Sequence, residues 1–167
     1  EYGTPGKRVT FCGEDATDCE ASDICVQEPN EYLQDALNEP WGLIYVDDTG
    51  AGSASLFVTE QSSNIGTVSR IETDLSTSNV VLTVSGVQTT GEKGFLGLVA
   101  HPEFVTHPYI FIMYTTTSIT QYIKRYVYDI VTDTLSEDAI IVQYQAETGI
   151  HNGGRLLIVE DDACSAN

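Results

Sequence analysis

Positive charge is scarce in this sequence. Seven Lys and Arg stand against 25 Asp and Glu, a formal net charge of −18. A surface of that sign repels nucleic-acid phosphates and anionic headgroups, so neither nucleic acid nor an anionic membrane is expected as a partner. Long apolar runs are lacking as well, and none approaches the ~20 residues that a membrane-spanning helix needs. The chain opens at Glu1 with neither Met nor the apolar core of a signal peptide, so it is expected to be a mature or excised chain. Cysteine is limited to Cys12, Cys19, Cys25 and Cys164, without the short C-x-x-C pairs of structural zinc sites. Disulfides and an extracellular or periplasmic setting are the expectation instead, with three full pairings open.

What is present suits one folded domain: 41% of the residues are hydrophobic and 9% aromatic, ordinary values for a packed core. Residues 1–39 carry ten acidic and two basic side chains with no sustained apolar period. They read as an acidic, cysteine-containing, loop-rich extension. The group Glu14, Asp15, Asp18, Glu20 and Asp23 lacks the ligand order and turn glycine of a calcium loop, and reads as a solvated acidic surface.

From Pro40 onward the pattern changes to short β-type runs punctuated by turn residues. The first four are Trp41 to Val46, Leu56 to Thr59, Thr67 to Glu72 and Val80 to Val84, with turns at Asp47 to Gly50, Ser62 to Gly66 and Ser85-Gly86. Four more follow at Leu96 to Ala100, Tyr109 to Tyr114, Tyr122 to Tyr128 and Ala139 to Val142. A third set opens with Leu156-Leu157-Ile158-Val159. The set-openers are alike: Trp41-Gly42-Leu43-Ile44-Tyr45-Val46-Asp47-Asp48, Leu96-Gly97-Leu98-Val99-Ala100-His101-Pro102-Glu103 and Arg155-Leu156-Leu157-Ile158-Val159-Glu160-Asp161-Asp162, offset by 55 and 59 residues. A four-strand repeat of that length fits a β-propeller blade, whereas a β-sandwich would not require the self-similarity. The expected fold is therefore an all-β propeller. A blade over residues 40–86, a second over 91–143 and the first strand of a third within 151–167 make up a partial propeller at 40–167. Because propellers close with ~4–8 blades, the chain is expected to be an N-terminal fragment of a longer protein.

In a propeller the first strand of each blade lines the central channel, and the loops leading into those strands meet near the axis. Here they are Asn38-Glu39-Pro40, Gly91-Glu92-Lys93-Gly94 and His151-Asn152-Gly153-Gly154. Glu92 and His151 are expected to face one another across the channel mouth, on loops held by a rigid scaffold. Imidazole is the side chain best suited to exchange a proton near neutral pH. His101, in His101-Pro102-Glu103-Phe104, reads as a turn residue, with Phe104 capping the blade. The strand tyrosines read as sheet packing. Lys124 and Arg125 are too few to make a basic patch.

The run Gly91-Glu92-Lys93-Gly94-Phe95-Leu96-Gly97-Leu98-Val99-Ala100-His101-Pro102-Glu103-Phe104 resembles the hallmark of the soluble quinoprotein glucose/sorbosone dehydrogenases, or aldose sugar dehydrogenases. Pro40-Trp41-Gly42-Leu43, Leu56-Phe57-Val58-Thr59-Glu60 and His151-Asn152-Gly153-Gly154-Arg155-Leu156 match the same family in order and spacing. The resemblance covers residues 40–160. It implies a six-bladed propeller that binds pyrroloquinoline quinone (PQQ) at the channel mouth, with calcium organising the cofactor and the dimer. It implies that His151 is the catalytic base, removing the sugar C1 hydroxyl proton while hydride passes to the quinone. Glu92 matches a position, often glutamine, beside quinone and substrate. His151 and Glu92 are thus the cofactor contacts expected in this chain, with the remaining contacts and the calcium ligands beyond Asn167. An external electron acceptor and a homodimer of the full-length protein are further implications. Hedgehog-interacting-protein-like members share the propeller and the Gly-Glu/Asp-x-x-Gly-Phe-Leu-Gly pattern as extracellular binding modules, and their cysteine-bearing segment resembles Cys25-Val26-Gln27-Glu28. Both an enzyme and a binding module are compatible with the sequence.

Overall fold

A computed structural model describes residues 9–12, 24–27, 37–47, 54–72, 78–146 and 152–159, the first two stretches by backbone alone. Cys19, Cys164, the acidic group between Glu14 and Asp23, and the side chains of Cys12 and Cys25 lie outside the described residues, and the expected disulfides and acidic surface lie there with them. The chain divides into two units, Glu1–Leu33 and Gln34–Asn167. In the first, β1 (Val9–Cys12) and β2 (Ile24–Gln27) pair in parallel, from Val9 opposite Ile24 to Cys12 opposite Gln27. The loop-rich expectation missed this pair because four residues are too few to display a period of two.

The second unit holds two four-stranded antiparallel sheets in which every strand pairs with its neighbour in sequence. One comprises β3 (Gly42–Asp47), β4 (Ala54–Ser62), β5 (Ile65–Glu72) and β6 (Ser78–Ser85). The other comprises β7 (Phe95–Ala100), β8 (Tyr109–Thr115), β9 (Thr120–Asp129) and β10 (Thr134–Gln145). These are two up-and-down propeller blades, as the repeat predicts. The tightest hairpin shows why the sequence turns where it does. Ser62 pairs with Ile65, and the two residues between them, Ser63 and Asn64, adopt φ of 48° and 66°. Two successive positive φ values give the turn whose twist suits a β-hairpin, and Asn tolerates that region better than most residues. No helix long and apolar enough to cross a membrane occurs among the described residues.

The blades share one core. Val46, Phe57, Val68 and Val81 of the first cluster with Phe95, Leu98, Ile110, Ile112, Tyr126 and Tyr128 of the second. Phe57 meets the edge of Tyr128 at 5.2 Å and 86°, and Phe104 at 6.3 Å. Phe104 is buried, and His101 Nδ1 accepts a hydrogen bond from the Glu103 N–H at 3.1 Å. This chemistry is that of a turn, as expected for His101. At the outer rim Asp133 of the second blade accepts from Asn79 Nδ2 at 3.0 Å and lies 3.8 Å from Arg70, both of the first blade.

Residues 152–159 run beside β7 with alternating burial: Asn152 is buried, Leu156 and Ile158 are half-buried, and Leu157 and Val159 are exposed. That alternation is the mark of an extended chain. The segment joins no ladder among the described residues. An innermost strand pairs only with the second strand of its own blade, and no second strand follows within the described residues.

Candidate functional site

An innermost propeller strand has one edge without a ladder partner, and its backbone polar groups there must find others. The slip in register of β7 on β8 between Phe95 and Leu98 enlarges that need. The answer comes from β4. The Thr59 hydroxyl accepts the Gly42 N–H at 2.8 Å and donates to the Leu96 carbonyl at 2.6 Å, so one oxygen ties the inner strands of both blades. Two residues on, and therefore on the same face, Gln61 Oε1 accepts the Phe95 N–H at 2.9 Å. Glu60, between them, turns to the opposite face. Its carboxylate accepts the Asn38 N–H at 2.6 Å and the Ser69 hydroxyl. Gln61 N–H also donates to the Asn38 carbonyl at 3.2 Å, and Thr115 N–H to the Gly94 carbonyl at 3.0 Å. In the second blade Gln121 Nε2 donates to the Asn152 carbonyl at 3.0 Å. Thr59, Gln61 and Gln121 are all buried, so each of these bonds is shielded from competing water.

Each opening loop contains left-handed backbone: Glu39 at 44°, Gly91 at 70° and Gly153 at 68°. Such values reverse the chain sharply and aim it into the first strand. Glu92 sits in the turn after Gly91 and is exposed. His151 lies outside the described residues, so the expected meeting of Glu92 and His151 rests on their loops. The neighbouring Asn152 and Gly153-Gly154 are described, and the two glycines line the same cleft as β3 and β7.

That cleft has a volume of about 540 Å³ and is lined by Trp41 to Ile44, Leu96 to Val99 and Gly153 to Leu157. Glycine lets its walls approach. A Cβ on Gly97 would collide with the Gly154 carbonyl, and one on Gly42 would lie 2.8 Å from Leu98 Cδ2. The Gly97 obstruction is backbone, which cannot rotate aside. Gly97→Ala is therefore expected to destabilise the protein by about 1–3 kcal/mol, as overpacking does, and to speed amide exchange in residues 152–159. Denaturant unfolding with hydrogen-exchange mass spectrometry checks both, and unchanged exchange in 152–159 would mean that the two segments do not touch.

Cations contribute little elsewhere. Burial alone would lower the Lys124 pKa, but Glu137, with both carboxylate oxygens at 2.8 Å, and Tyr114 outweigh it and hold it above its ordinary value. Arg125 is neutralised by Asp138 at 2.5 Å and lies over the Tyr109 ring at 4.6 Å. Neither offers a basic patch. Among the described residues no group of three His, Cys, Asp or Glu is placed to hold a metal ion. Sequence reasoning missed Gln61 and Gln121, although Thr59 and Glu60 stood in a run already matched to a family. Their burial near strand ends is a structural fact, and no residue pattern in the sequence pointed to it.

The glucose/sorbosone dehydrogenase family matches residues 37–165. Quinoprotein glucose dehydrogenase B of Acinetobacter calcoaceticus is 27% identical over 136 residues, which cover 75% of this chain and 27% of that protein. The PQQ-bound aldose sugar dehydrogenase of Streptomyces coelicolor superimposes with a TM-score of 0.59 at 28% identity, over 71% of this chain and 34% of that one. A glucose dehydrogenase-type oxidoreductase of Thermus thermophilus, at 22% identity and a TM-score of 0.57, shares the fold over 72% of this chain and 33% of its own. The chain thus spans about a quarter to a third of the length of these relatives. With the paired blades, the glycine-lined cleft and a match that runs through both opening-loop motifs, the chain belongs to the glucose/sorbosone dehydrogenase family.

Proposed function

We propose that the full-length protein is a PQQ-dependent dehydrogenase that oxidises the C1 hydroxyl of aldose sugars. The observation that carries this is the family match through Gly91 to Phe104 and His151 to Leu156, within which Leu96 to Val99 and Gly153 to Leu156 line the cleft between inner strands. The substrate loses its C1 hydrogen as hydride and its hydroxyl hydrogen as a proton. His151 takes that proton on an imidazole nitrogen, the role for which a neutral imidazole is suited. Glu92 lies beside the substrate and the quinone. When bound, PQQ would supply the two-electron acceptor for the hydride, with an external electron acceptor as a further partner.

The described residues fit part of such a group. Gly153 has open space where a Cβ would stand, whereas Gly42, Gly97 and Gly154 are packed against neighbouring chain, and the lining includes one cation, Arg155. A planar acid with three carboxylates needs more positive charge than that, so further basic residues and the calcium ligands are assigned to blades outside this chain. We place the protein outside the cytoplasm, as a homodimer with calcium. The test is to reconstitute the full-length protein with PQQ and calcium and to follow dye reduction with aldoses. Reduction that depends on quinone and sugar together is the expected result. No quinone binding at any calcium concentration would overturn the proposal and favour the binding-module alternative.

A further inference from the structure

Two buried glutamines hold two of the three opening loops, and their chemistry differs in sign. The Phe95 N–H is a donor, so only the amide oxygen of Gln61 can face it; the bond is 2.9 Å. The Asn152 carbonyl is an acceptor, so only the amide nitrogen of Gln121 can face it; the bond is 3.0 Å. Gln61 also fills the space beside Gly94, whose φ of 153° would point a Cβ into the Gln61 amide. Phe95 closes the loop that carries Glu92, and Asn152 directly follows His151. The two glutamines occupy the same end of their sheets but different strands. Gln61 is the last residue but one of β4, opposite Gly66, whereas Gln121 is the second residue of β9, opposite Thr115 of β8. Opposite Gln61 the next strand has glycine, and a Cβ on Gly66 would strike the Phe95 ring.

We infer that Gln61 and Gln121 are positioning residues, each clamping the opening loop of the following blade: Gln61 the loop of Glu92, Gln121 the loop of His151. Their effect on turnover rests on the function proposed above, but the clamps themselves do not. An amide is suited to this task because it can meet either a donor or an acceptor without burying a charge.

The experiment uses hydrogen-exchange mass spectrometry, PQQ titration and steady-state kinetics on the full-length protein and four variants. Gln61→Ala should raise exchange about tenfold in the peptide spanning Gly91 to Phe95, the loss expected for one buried hydrogen bond. The peptide around Asn152, and strands β6 and β10, should stay at the wild-type level. It should also weaken PQQ binding. Gln121→Ala should do the converse, loosening the Asn152 peptide and lowering kcat with little change in KM. Gln61→Glu keeps an acceptor opposite the Phe95 N–H and should preserve most of the protection there. Gln121→Glu sets a carboxylate against a carbonyl and should be worse than Gln121→Ala.

Four results would each overturn the assignment. These are exchange that rises in both loops with either substitution, exchange that rises in neither, Gln61→Glu as damaging as Gln121→Glu, and loosened loops with unchanged PQQ affinity and kcat. If the wild-type protein binds no PQQ, the dehydrogenase proposal fails by itself, and the exchange pattern alone decides the clamps.

Discussion

Replacing His151 by alanine is expected to lower kcat of the reconstituted full-length protein by about 10²- to 10⁴-fold, the contribution typical of a positioned general base. Quinone affinity should change far less, because the proposed proton acceptor acts on the substrate hydroxyl. The flanking chain is built to hold such a side chain steady. Asn152 is buried with its carbonyl on Gln121, and Gly153 and Gly154 take φ of 68° and 130° that fix the turn behind it. An imidazole accepts a proton only when neutral, so the wild-type rate should fall on the acid side and recover as pH rises. The residual rate of His151→Ala should lose that fall. A drop in kcat of less than tenfold, or an unchanged acid limb, would remove His151 from the base role and leave Glu92 as the next candidate to test. Parallel stopped-flow measurement of quinone reduction would separate the chemical step from reoxidation by the dye.

How much of this was visible in the residues depends on the kind of interaction. All eight strands of the two blades were visible as apolar or alternating runs, because a half-buried strand must alternate. Their ends were not. The run Ala139 to Val142 extends to Thr134–Gln145, and Leu56 to Thr59 to Ala54–Ser62. Ladder bonds continue through polar residues such as Glu137 and Gln143, which hydropathy counts as breaks. The Ser63-Asn64 turn was legible because Asn is a chemical signal for positive φ. The clamps were illegible for a topological reason. Gln61 and Gln121 sit on a second and a third strand, so no fixed offset in the repeat aligns them. Their partners are backbone atoms, which leave no residue type to match. The approach of Gly97 to the Gly154 carbonyl was illegible for the same reason, since its partner is backbone.

Phe57→Ala is expected to cost about 3–5 kcal/mol, the range for deleting a fully buried aromatic ring, against a total stability of order 5–15 kcal/mol for a domain. Phe57 is 0% exposed, and its ring meets Tyr128 and Phe104 of the neighbouring blade. It therefore contributes to the joint between blades as well as to its own sheet. Phe57, Thr59 and Gln61 lie on one face of β4, and all three reach the second blade: the ring to Tyr128, the hydroxyl to Leu96 O and the amide to Phe95 N. The seam is apolar away from the opening loops and polar beside them. Removing its apolar anchor should loosen the polar contacts that set the Glu92 loop. The denaturation midpoint of Phe57→Ala should fall with the slope unchanged, while exchange near Phe95 rises. Phe57→Leu should retain most of the stability, losing mainly the ring–edge contacts worth about 0.5–1.5 kcal/mol. A loss below about 1 kcal/mol for Phe57→Ala, far under the buried-ring range, would mean that the blades are held together chiefly by the Thr59 and Gln61 hydrogen bonds. In that case Thr59→Val, which keeps the shape and removes the hydroxyl, should be the more damaging change.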